Sequence, residues 1–82
     1  MTYVVNLEDG GGQDFFLNTE GTFTPLSSIG STEPQTFPSY RSVARKIDQL
    51  RPGCAPTCRL YAVEQREFNK RRLALQSSPS GH

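Results

Sequence analysis

Tryptophan is absent from this chain, methionine occurs once, and the single histidine is the last of its 82 residues. A lone terminal His82 cannot be held in a Ser-His-Asp or Cys-His arrangement, so nucleophilic catalysis of that kind is excluded. Hydrophobic residues make up only 34% of the chain. That is enough for one small core, marginal without help from a partner. No apolar run approaches the roughly 18–20 residues that span a bilayer. With two cysteines, Cys54 and Cys58, a disulfide-rich scaffold is also excluded. One small domain over residues 1–76 with a flexible tail over 77–82 is expected.

Basic residues are missing from the first forty positions. All nine Lys and Arg fall between Arg41 and Arg72, whereas Glu8, Asp9, Asp14, Glu20 and Glu33 lie before them. The formal net charge of +1 therefore hides an acidic front and a basic back. Such a chain can pair with itself, meet a mixed protein surface, or offer a basic face to nucleic acid. The start, "MTYVVNLED", has no basic n-region before an apolar stretch, so it does not read as a signal peptide, and a cytoplasmic location is expected.

What is present reads as alternating and periodic segments. "TYVVNLE" (Thr2–Glu8) predicts a strand with Tyr3, Val5 and Leu7 on one face and Val4 and Asn6 on the other. "DFFL" (Asp14–Leu17) and "TFT" (Thr22–Thr24) predict two more, joined by the turn "NTEG". Residues 25–38 read as a long loop with Leu26 and Ile29 as anchors. In "SYRSVARKIDQL" the apolar positions Tyr40, Val43, Ala44, Ile47 and Leu50 form one helical stripe. Ser39 is placed to cap its start and "RPG" to end it. "CRLYAVEQ" (Cys58–Gln65) is apolar on both faces and predicts a central strand. In "REFNKRRLALQ", Phe68, Arg72 and Leu75 share a helical face, which favours a short helix or extended arm. The expected fold class is α+β: an antiparallel sheet of three to four strands with one amphipathic helix on a face, in the order β-β-β-α-β plus a C-terminal arm.

Four features are candidates for chemistry. The triple glycine in "EDGGGQD" lacks the Lys of a phosphate-binding loop and is followed by a strand, so it reads as a bend. "CAPTC" supplies two thiols where structural zinc needs four ligands. Inert loop thiols, a disulfide, or a metal site completed by a second subunit all remain open, the first favoured; no cofactor is expected. The pairs Glu8/Asp9 and Glu64/Glu67 show no spacing that marks a catalytic carboxylate dyad, and an enzyme is not expected. The cations Arg41, Arg45 and Lys46 on the outer helix face, with Lys70, Arg71 and Arg72 of "NKRR", form the strongest functional signal. The bland alternative is a solvated face that keeps the chain soluble.

The patterns "GTFT" and "FPSY", set among "YVVNL", "FFLNTEGTFTPL" and "CRLYAVE", resemble a recurring type of small phage or prophage protein, a group that includes anti-CRISPR proteins. The resemblance covers roughly residues 3–64; "CAPTC" and "NKRR" depart from the usual pattern. It implies a compact sheet-helix layer and a non-enzymatic inhibitor that occupies a surface of a host protein or ribonucleoprotein in a bacterial cytoplasm. Arg41, Arg45, Lys46, Lys70, Arg71 and Arg72, with Glu8, Asp9 and Asp14 as an acidic patch, are the expected contacts. A small nucleic-acid-binding regulator using the same cations is the alternative, and a homodimer through opposed charges is a third option. No membrane partner is expected.

Overall fold

The computed structural model describes residues 1–27 and 32–77. Ile29, expected as an anchor, and the tail from residue 78 through His82 lie outside the described residues. Four strands, β1 (Tyr3–Glu8), β2 (Asp14–Leu17), β3 (Phe23–Pro25) and β4 (Arg59–Glu64), form one sheet in the order β3-β2-β1-β4. All its pairings are antiparallel. Helix α1 (Tyr40–Leu50) runs into a short 3-10 turn (Arg51–Gly53), and α2 (Gln65–Ser77) follows β4 directly. This is the α+β class expected, and the C-terminal arm is a full helix.

The two helices bury opposite faces of the sheet. Val5 and Leu17 pack with Phe37 and with Val43 and Ile47 of α1. Val4, Phe16 and Val63 pack with Leu26 and with Phe68 of α2. Neighbours on a strand point to opposite sides, so Val4 and Val5 enter different cores, as do Phe16 and Leu17. The adjacent aromatics of "DFFL" need a cover on each side, and α2 supplies the second one. Phe16 and Phe68 meet edge to face with centroids 5.1 Å apart.

Strand β4 is not central. It pairs with β1 through six consecutive residues and, among the described residues, has no strand on its other side. Its apolar residues on both faces reflect two helical covers, a cause that mimics the signature of a central strand.

The loop before α1 also departs from expectation. β1 and β2 pair only from Asn6–Glu8 to Asp14–Phe16. Beyond that they splay, and residues 33–37 fill the fork. Phe37 exchanges two backbone hydrogen bonds with Tyr3, Gln35 N–H donates to the Leu17 carbonyl, and Thr19 N–H donates to that of Glu33. Phe37 is thereby buried in the α1-side core.

Local chemistry explains the ends. The Ser39 hydroxyl accepts from Ser42 N–H while the Ser42 hydroxyl accepts from Ser39 N–H, a reciprocal cap at the start of α1. Tyr40 is not part of the buried stripe; it is 64% exposed and leans edge-on against Tyr3 at 5.9 Å. In the β2–β3 turn, buried Asn18 accepts from Glu20 and Thr22 N–H and donates to the hydroxyls of Thr22 and Thr24. Among the described residues, no helix is long and apolar enough to cross a membrane.

Candidate functional site

The cations that sequence reasoning grouped together are divided by the sheet. With about 100° between successive residues of a helix, Arg41 and Arg45 stand one turn apart on the crest of α1, and both are exposed. Lys46 sits on the flank and is half-buried, its stem lying beside the stripe of Val43 and Ile47. Asp48 pairs with Arg51 at 3.4 Å where α1 meets the 3-10 turn. Both side chains are largely exposed there, so the pair adds little stability.

The "NKRR" cations belong to α2 and the other side of the molecule. They also separate from one another. Lys70 points outward and is exposed. Arg71 turns toward the sheet and lines an open cleft of about 400 Å³ with Glu8, Asp14, Leu26, Tyr61, Ala74 and Leu75. Arg72 lies inward: its guanidinium carbon is 4.9 Å from the centre of the Phe16 ring, and Nη2 donates to the Thr32 carbonyl at 2.9 Å. The stacked cation and its hydrogen bond tie α2 to the segment that fills the β1–β2 fork. Arg72 thus has a structural role that nothing in "NKRR" distinguishes from its neighbours.

The acidic patch divides as well. Glu8 and Asp14 are paired across β1 and β2 on the α2 side, facing the cleft with Arg71. Asp14 accepts from the side-chain amide of Asn6 at 3.2 Å; Oδ1 of Asn6, fully buried between Phe16 and Tyr61 on neighbouring strands, has no hydrogen-bond partner among the described residues. Asp9 instead shapes its own loop, one carboxylate oxygen accepting from Gly11 and Gln13 N–H. That local bonding makes the triple glycine a bend. Gly12 takes φ +85°, and a Cβ on Gly10 would stand 3.1 Å from that of Thr57. The glycine loop therefore rests against the "CAPTC" loop.

Cys54 and Cys58 are half-buried free thiols. They line an open cleft of about 600 Å³ with Arg51, Ala55, Pro56, Arg59, Leu60 and Tyr61. Among the described residues no group of three or more His, Cys, Asp or Glu side chains is placed to hold a metal ion. Glu64 and Glu67, one on the end of β4 and one on the first turn of α2, border a further shallow cleft with Tyr3, Tyr61 and Arg71. No known protein family, curated protein or solved structure matches the chain.

Proposed function

We propose that the protein is a non-catalytic binding protein that works by occupying a surface of a larger partner. The observation that carries this reading is the exposed cationic crest of Arg41 and Arg45 on α1, flanked by Lys46, on a helix whose opposite side is committed to the core. A helix held by Val43 and Ile47 presents these charges at fixed spacing, which favours fast, selective docking on an acidic surface. In its narrower form, an element-encoded inhibitor of a host assembly, the proposal rests on the resemblance carried by "GTFT" and "FPSY". The alternative, a nucleic-acid regulator, wants the cations on one track; Lys70 lies across the sheet from Arg41 and Arg45, which favours the protein partner.

The test is capture from a bacterial lysate, with and without nuclease treatment, by the native chain and by R41E/R45E. A protein complex held by the native chain and weakened about tenfold or more by the reversal supports the proposal. Capture that is indifferent to the reversal removes the α1 crest from the contact. Capture that disappears with nuclease, with steep salt dependence, moves the reading to nucleic acid.

A further inference from the structure

The "CAPTC" loop carries two nucleophiles that the fold does not use. Cys54 and Cys58 are free thiols, half-buried, and neither belongs to either core. Both line the same open cleft of about 600 Å³. Partial exposure is the condition under which a thiol exchanges with a small molecule, whereas a fully buried one is inert.

The backbone turns twice to bring the two thiols to that cleft. Cys54 N–H donates to the Arg51 carbonyl at 3.1 Å, closing the 3-10 turn, and Cys58 N–H donates to the Ala55 carbonyl at 3.0 Å. The second bond makes Ala55–Cys58 a β-turn, with Pro56 at the position where its fixed φ is favoured. Thr57 is held against the glycine bend at Gly10. The loop that separates the thiols is therefore fixed in a reversed path before any bond joins them.

The charge around the cleft has one sign. Arg51 and Arg59 line it with Leu60 and Tyr61, and among the described residues no carboxylate does. Two carboxylates stand behind these cations. Asp48 pairs with Arg51 at 3.4 Å, with both side chains largely exposed, and Glu8 lies across from Arg59 on β1 without an ion pair to it. An exposed pair of this kind leaves the guanidinium free to meet a second anion.

We propose that Cys54 and Cys58 form a thiol-exchange site for small disulfides whose halves carry carboxylates, with Arg51 and Arg59 attracting the anionic groups. In the first step the thiolate of one cysteine attacks the small disulfide. A protein–small-molecule S–S bond forms, the original S–S bond breaks, and one small thiolate leaves and takes up a proton. In the second step the other cysteine, as thiolate, attacks the sulfur of its neighbour. The Cys54–Cys58 bond closes and the second small thiolate leaves. The protein gives up two hydrogens and two electrons, and the small disulfide is reduced to two thiols. A ring this short constrains little of the unfolded chain, so the bond is exchangeable and not a structural staple.

The experiment exposes the reduced full chain to glutathione disulfide, which is anionic, and in parallel to cystamine, which is cationic, with intact-mass spectrometry over time. The native chain should pass through a glutathione adduct to a form lighter by two hydrogens. C54S and C58S, checked for folding by far-ultraviolet circular dichroism, should each stop at the adduct. The native chain should react at least about tenfold faster with glutathione disulfide than cystamine, relative to the same pair of rates on the urea-unfolded chain. R51Q/R59Q should remove that preference while both thiols still react. Thiols that stay reduced in the folded chain while the unfolded chain reacts would overturn the proposal. So would a glutathione adduct on the native chain that never closes to the internal disulfide, or a rate indifferent to reagent charge and to R51Q/R59Q.

Discussion

Replacing Phe68 by alanine tests the most consequential tertiary contact in the molecule. Phe68 is fully buried and, among the described side chains of α2, is the one completely enclosed, resting edge-on against Phe16. Truncating such a ring costs about 3–5 kcal/mol in lost transfer energy and cavity. About 0.5–1.5 kcal/mol of that belongs to the ring pair itself. A domain of this size holds about 5–15 kcal/mol in total. At about 4–8 °C per kcal/mol, the midpoint of thermal unfolding should fall by about 12 °C or more. Urea unfolding followed by far-ultraviolet circular dichroism reads the loss directly. F16A and F68A in a double-mutant cycle should be non-additive, since each removes the other's partner. L73A on the exposed side of the same helix should change stability by less than about 0.5 kcal/mol. If F68A cost less than about 1 kcal/mol, α2 would not be a layer of the fold and the second core would not exist.

Two other substitutions probe local devices. Asn18→Ala deletes four hydrogen bonds from a side chain that is 3% exposed. At about 1–3 kcal/mol for each buried group left without a partner, it should cost more than any other change in the β2–β3 turn; denaturant midpoints of N18A against T22A and T24A decide it. Ser39→Ala removes the reciprocal cap of α1 and should cost about 1 kcal/mol, measured in the same way, while S42A, which removes the other half of the cap, should cost no more. An S39A protein as stable as the native one would mean the start of α1 is held by Phe37 alone.

The parts legible in the sequence are those with local causes. The stripe of Val43, Ala44, Ile47 and Leu50 marks α1, and Ser39 marks its start because the cap lies within one turn. "DFFL" occupies β2 as read, and "NTEG" is the turn after it, since Asn18 bonds groups two and four residues on. The expected third strand lies one residue later, at Phe23–Pro25, a shift within the ordinary fraying of short strands. Phe37 was not legible as a core residue, because its partners Tyr3 and Val43 reach it from different segments and no periodicity surrounds it. Arg72 was not legible as structural for the same reason: stacking on Phe16 and bonding to Thr32 join positions 56 and 40 residues apart.

By itself, the sequence determines the strands, the helix α1, the turns and the segregation of acid from base along the chain. Each of these follows from steric preference, side-chain alternation or hydrogen bonds that act within a few residues. Only the tertiary structure decides which side of the sheet each charged segment occupies. It sends Arg41 and Arg45 to one side and Lys70 to the other, and brings Glu8, Asp14 and Arg71 into one cleft. It also leaves β4 as an edge. The physical reason is that β1 and β2 carry large apolar side chains on both faces, Val4 and Phe16 on one and Val5 and Leu17 on the other, so burial demands two covers, and the linkage of α2 to the end of β4 allows it to reach only the face that α1 leaves open.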